Sequence, residues 1–189
     1  MKLLELLLTP LGWLLRRERA DEALSVTRAP ELTTSDRIEV TSPAFRDGET
    51  IPARHCGPGI GVNTSPALRW RGLPARTRAL LLIIEDVDTP TAKPGIHTVA
   101  LFDAAVSELE EGALAAEDGR FRYVPNHRGR TGYVGPRPLP GHGTHRYRFH
   151  LYALDTAVDP GGGGAVDGLL PRLAGHVLAV GTLEGVRAA

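Results

Sequence analysis

At 189 residues the chain is long enough for one domain with a sizeable core. Hydrophobic residues make up 42% and charged residues 23%, and 22 basic side chains balance 22 acidic ones, so no broad basic field calls for nucleic acid. Cys56 is the only cysteine, which excludes an intrachain disulfide and a Cys-rich zinc cage and fits a reducing, cytoplasmic compartment.

Residues 1–20 form an arm. In MKLLELLLTPLGWLLRRER, Leu3, Leu4, Leu7, Leu8, Leu11, Leu14 and Leu15 share one helical face, with Lys2, Glu5, Thr9, Gly12 and Arg16 on the other. This is an amphipathic helix that Pro10 kinks or splits. It is too short, and at Glu5 too interrupted, to span a membrane, and Arg16 and Arg17 directly after the apolar run argue against a secretory signal. Its apolar face docks on the protein's own body, pairs with a second copy as a homodimer, or touches a membrane surface from the cytoplasmic side; the sequence leaves these open. Residues 21–35 read as a polar link, so that an arm and link (1–35) precede a globular domain (36–189).

The 22 glycines and 15 prolines predict many turns, as in a β-rich fold. Short strands are expected at 38–40 and 68–70, with a turn and extended segment in FRDGETIP (45–52) and a loop at 55–66. ALLLIIED (79–86) reads as a buried strand and HTVALF (97–102) as the next one. EEGALAAEDGRFRYV (110–124) holds a weak helical turn or irregular structure, and 126–144 is a long loop of the kind that is functional or disordered. HRYRFHLYALD (145–155) alternates cleanly as a strand, GGGG (161–164) is a joint, and LLPRLAGHVLAVGTL (169–183) reads as a closing helix.

Side chains alternate faces along a strand, and this parity picks out a cluster. His145 and Tyr147 share the face of Phe149, Leu151 and Ala153, so they stand at the inward start of their strand. His97 shares parity with Val99 and Leu101 and is placed inward for the same reason. Asp86 and Asp88 leave the preceding strand and lead into the loop that delivers His97. A buried polar group without a partner costs about 1–3 kcal/mol, and an aspartate beside a histidine satisfies both. The pocket so formed offers imidazole N–H and phenol O–H donors to a small anion. It has no Lys or Arg of its own, so binding is expected to be weak. Arg146 and Arg148 are expected in solvent or in local ion pairs, Trp70 in the core, Cys56 as a packed thiol, and His55 at the surface.

SPALRW (65–70), LP-x-x-T (73–77), EDVDTP (85–90), His97, GYVGPRPLPGHGTHRY (132–147) and LYALD (151–155) together resemble the phosphatidylethanolamine-binding proteins, also known as Raf kinase inhibitor-like proteins, in their bacterial YbhB/YbcL-type branch. FRDG-x-x-IP (45–52) and GHVLAVGTLEG (175–185) extend the resemblance over roughly residues 38–187. It implies an antiparallel β-sandwich with a C-terminal helix, to which this chain adds its amphipathic arm. It also implies a cavity for phosphate, phosphorylated head groups or carboxylates, no cofactor, and a role in regulating or inhibiting a partner protein. Carried over by motif, the cavity residues are Asp86, Asp88, His97, His145 and Tyr147, with Gly135 and Pro136 shaping the rim. Val87 and Thr89 replace the family's usual Pro and Ala, and Pro94-Gly95-Ile96 replaces an aromatic approach to the first histidine. The alternative is a metal-dependent or acid–base hydrolase built on the same acids and imidazoles with His142, although HxxH on a Gly-rich loop need not bring two rings together.

Overall fold

Alternating and continuous apolar runs become the strands of two antiparallel sheets. The computed structural model describes residues 2–126, 128–161 and 165–189. In chain order they form α1 (Lys2–Leu15), β1 (Glu39–Thr41), β2 (Leu68–Arg71), β3 (Ala79–Asp86), β4 (Gly95–Asp103), β5 (Glu108–Leu109), β6 (Arg122–Val124), β7 (Thr144–Leu154), α2 (Val166–Leu169) and β8 (Val177–Ala188), joined by loops and short 3-10 turns. A three-stranded sheet, β1-β2-β5, packs over a five-stranded one, β6-β4-β3-β7-β8. The fold is the mainly β antiparallel sandwich that the sequence implies, with a helical arm and a short C-terminal helix.

β3 lies between β4 and β7 and is buried at all eight positions, because both of its faces are covered. Leu80, Leu82 and Ile84 join Tyr147, Phe149 and Leu151 in the core between the sheets. Leu81 and Ile83 join Val99, Leu101, Tyr152 and Leu154 in a second cluster on the back of the large sheet. Leu169 and Leu173 close that cluster from one side and Leu32 from another. The link before the domain therefore does more than connect. Its 3-10 turns at Glu22–Leu24, Val26–Arg28 and Pro30–Leu32 lie on the back of the sheet, where the Ser25 hydroxyl donates to the buried Glu85 carboxylate at 2.7 Å.

Two sequence readings are corrected. The closing helix stops early: α2 and the 3-10 turn Leu170–Arg172 are followed by Gly175 at φ 79°, and 177–188 form β8, paired with β7 along most of its length. Pro171 and Gly175 break the helical period, and Val177, Val180 and Thr182 fit a pleated surface better. His55 is not at the surface; it is buried, with Nδ1 2.9 Å from the Thr64 carbonyl. Residues 162–164 of the glycine joint lie outside the described residues.

The sequence left open what covers the arm's leucines. α1 docks on the body through its small side: a Cβ on Gly12 would sit 1.9 Å from the Pro140 carbonyl oxygen, and one on Gly141 would sit 2.5 Å from the Thr9 carbonyl oxygen. Backbone meets backbone at this crossing, which only glycine permits. Leu6, Leu7, Leu11 and Leu14 face outward. The readings for Leu3, Leu4 and Glu5 lie outside the described side chains. Arg146 and Arg148 do make local ion pairs, both to Glu22 of the link, at 2.9 and 2.8 Å. Trp70 and Cys56 are in the core.

Candidate functional site

The site begins with a defect in the β3–β4 ladder. Ile84 pairs with Thr98, but Glu85 pairs with Ile96, so His97 is an extra residue in β4. A bulge of this kind re-aims a side chain. Val99 and Leu101 belong to the back cluster, so parity with them would have put His97 on the wrong face. The bulge turns it to the front, where its ring meets Tyr147 edge-on with centroids 5.4 Å apart. The parity argument for His97 is thus corrected, although the residue arrives where the cluster needs it. His97 Nδ1–H donates to the Val134 carbonyl at 2.9 Å, and Thr98 Oγ1 donates to the Gly132 carbonyl at 3.2 Å. Both bonds tie β4 to the long loop.

Asp86, the last residue of β3, sits opposite Tyr147 of β7. Its carboxylate accepts from His145 Nδ1 at 2.8 Å and from the Asp88 backbone N–H at 3.0 Å. The rings of His145 and Tyr147 lie nearly parallel, 6.3 Å apart. The Tyr147 hydroxyl is fully buried and meets no partner among the described residues at full hydrogen-bond geometry, with the Asp86 carboxylate and the Arg137 backbone as its polar neighbours. Burial first, and then the Asp86 charge, push this phenol well above its usual value, so it stays a donor at any physiological pH.

Asp86, His97, Gly135 and His145 line one cleft of about 1340 Å³, with Tyr147 packed against the two imidazoles. Gly135 is a close crossing point: a Cβ there would lie 2.2 Å from the His55 carbonyl oxygen. Pro136 is buried behind it and accepts from the Gly57 N–H at 2.8 Å, which pins the long loop to 55–63. Asp88 points elsewhere. It holds Arg146 through two bonds, at 2.8 and 2.9 Å, and takes the Arg146 backbone N–H at 2.8 Å. Burial opposes its ionisation, but Arg146 and Arg19 outweigh burial and hold its carboxyl below the usual 3.8. Asp88 thus fixes the start of β7, and through it the position of His145.

Two features of the site go beyond the cavity residues named by motif. One is His142, which the sequence offered only to the hydrolase alternative. Its Nδ1 lies 2.7 Å from His145 Nε2, so the HxxH pair does come together, joined directly ring to ring. Among the described residues no group of three His, Cys, Asp or Glu side chains converges as a metal site. His142 Nε2 lies 3.0 Å from Arg19 Nη1 and 3.1 Å from the Glu18 carbonyl, its Nδ1 faces His145 Nε2, and His145 Nδ1–H donates to Asp86. The arm therefore caps a buried chain that ends at the cleft. Burial, then the His145 and Arg19 charges, hold His142 below its usual 6.5. A histidine depressed in the fold contributes stability above its unfolded value and loses it as pH falls through the folded one. The melting temperature of the wild-type protein is therefore expected to fall more steeply from pH 7 to pH 5 than that of His142→Gln, measured by thermal denaturation. The other feature is charge. Lys93, Arg128, Arg130 and Arg137 are exposed side chains on the cleft's rim, contributed by loops whose approach only the fold reveals.

A model of the phosphatidylethanolamine-binding protein family matches residues 41–188, a span that holds every cleft residue named by motif. The chain belongs to this family. Among its relatives by sequence, the UPF0098 protein of Methanothermobacter thermautotrophicus is 39% identical over 149 residues, 76% of this chain and 93% of the relative. UPF0098 protein PH1269 of Pyrococcus horikoshii is 34% identical over 149 residues, 77% of this chain and 74% of the relative. The crystal structure of the family homolog CT736 from Chlamydia trachomatis superposes with a TM-score of 0.72 at 32% identity, covering 81% of this chain and 98% of that one. E. coli YbcL, a member of the mammalian phosphatidylethanolamine-binding family, gives 0.73 at 26% identity, with 81% and 99% covered. α1 lies outside the span that the family model matches.

Proposed function

We propose that this phosphatidylethanolamine-binding family member holds a small anion, phosphate or a phosphorylated head group, in the cleft beside His97, His145 and Tyr147, and that occupancy regulates a partner protein. The observation that carries the reading is the Tyr147 hydroxyl: a buried donor that meets no partner at full hydrogen-bond geometry, packed against two imidazoles below a cationic rim. A buried donor is costly unless something accepts from it, and an anion's oxygen does so. A cytoplasmic setting belongs to this reading, since Cys56 is a buried free thiol; no helix among the described residues is long and apolar enough to cross a membrane. Asp86 and His145 also have the form of a general-base dyad. Here His145 Nε2, the atom a base would use, is engaged by His142.

The reading makes a prediction of opposite signs. Tyr147→Phe removes a buried hydroxyl that lacks a full hydrogen bond, so the ligand-free protein is expected to melt at the same temperature or higher. The same change is expected to weaken phosphorylethanolamine binding about 10-fold or more, one charge-assisted hydrogen bond of about 1.5–3 kcal/mol. Calorimetric titration and thermal melts of both proteins test this. Unchanged affinity in the variant, or no binding by the wild type at millimolar ligand, overturns the assignment.

A further inference from the structure

α1 presents an apolar face that nothing among the described residues covers. Leu6, Leu7, Trp13 and Leu14 are 70%, 68%, 64% and 79% exposed, and Leu11 is 44% exposed. From residue 6 to residue 15 the helix carries no ionisable side chain. Exposed apolar residues scattered singly are ordinary, but a contiguous set along one helix is not. The docking geometry is what turns them outward, since Gly12 must face Pro140 for the backbones to approach.

We propose that α1 is an interfacial helix that seats the protein on an anionic bilayer, with Leu6, Leu7, Leu11, Trp13 and Leu14 in the acyl boundary. The inference concerns the arm alone and holds whether or not the cleft takes an anion. Three observations select this occupant. A 14-residue helix is about 21 Å long, too short to cross a bilayer but ample to lie in its surface. Arg16 and Arg17 follow the apolar run directly and are both exposed, as head-group contacts require. Leu8 and Thr9, on the docked side of α1, line the same cleft as exposed Lys93, Arg128, Arg130 and Arg137, so the basic rim lies beside the helix. An anionic bilayer supplies hydrocarbon and negative charge together. A second copy of this face would bring the same arginines and rim cations toward each other.

The test is co-flotation of the full chain with vesicles of phosphatidylcholine alone and of phosphatidylcholine with 30 mol% phosphatidylglycerol (about a third of the lipid charged). Binding is expected to the charged vesicles, with a blue shift of Trp13 emission and quenching by brominated acyl chains; Trp70 is buried and stays unchanged. Arg16→Ala with Arg17→Ala is expected to weaken binding about 25-fold, at about 1 kcal/mol for each arginine. Leu11→Glu with Leu14→Glu is expected to abolish it while the melting temperature holds, because both side chains are exposed. Should the glutamate variant fail to fold, the brominated-lipid readout on the wild-type chain still decides. No binding at about 1 mM lipid, or equal binding to neutral and charged vesicles, overturns the proposal. So does a solution dimer that the glutamate variant splits into monomers, which would make a second copy the occupant. Anion titration of the soluble protein reports on the cleft separately, so the two readings fail independently.

Discussion

His97→Ala is expected to reduce the affinity for sulfate or phosphorylethanolamine about 10- to 100-fold, the equivalent of one charge-assisted hydrogen bond of about 1.5–3 kcal/mol. His97 is half-buried at the cleft edge, so the variant should melt within a few degrees of the wild type. His97 Nδ1–H donates to the Val134 carbonyl, which fixes the ring at the cleft edge. Calorimetric titration of sulfate with both proteins checks the loss, and an affinity equal in the two removes His97 from the site.

Arg146→Ala is expected to have the largest effect on stability. Arg146 ties three parts of the chain together: Asp88 after β3, Glu22 in the link, and its own strand β7. Its loss leaves Asp88 nearly buried with only Arg19, at 3.4 Å, as a cationic neighbour. Removing one side of a buried pair costs about 3–5 kcal/mol; Arg146 is 36% exposed, so about 2–3 kcal/mol is expected, a fall in melting temperature of about 5–10 °C. Adding Asp88→Leu should recover part of the loss, since no unpaired carboxylate then remains. The sign with pH follows from Asp88. A carboxyl depressed in the fold contributes stability above its unfolded value and loses it as pH falls through the folded one. Acid should therefore destabilise the wild type below about pH 4, and in Arg146→Ala most of that contribution is already gone. Thermal and urea denaturation at pH 7 and pH 3 measure this.

Part of the site was legible as chemistry before it was legible as geometry. EDVDTP after an apolar run marks a strand exit rich in acids, and the alternation of HRYRFHLYALD correctly turns Tyr147 to the core beside Phe149 and Leu151. Asp86 and His145 follow, and they do meet, at 2.8 Å. Asp88 has the same side chain two residues on, yet it faces away from the cleft, because Arg146 reaches it from the back of β7. Nothing local in D-V-D separates these roles.

His97, His142 and α1 show why the remainder stayed hidden. Alternation counts residues, and a bulge changes the count, so the face of His97 depended on a register shift against β3 that no window of β4 contains. His142 lies in a Gly-rich loop, and its contact with His145 arises from how that loop enters β7 under Arg19. Periodicity found the arm's two faces but not which of them docks. By itself the sequence determined the strands, the family resemblance, and the supply of acids, imidazoles and a phenol, because those rest on side-chain chemistry and short-range pattern. The tertiary structure alone decided which of these groups converge and which face of α1 is left to solvent, because each depends on close contacts between segments far apart in the chain: Gly12 on Pro140, Gly135 on His55, and Arg19 on His142.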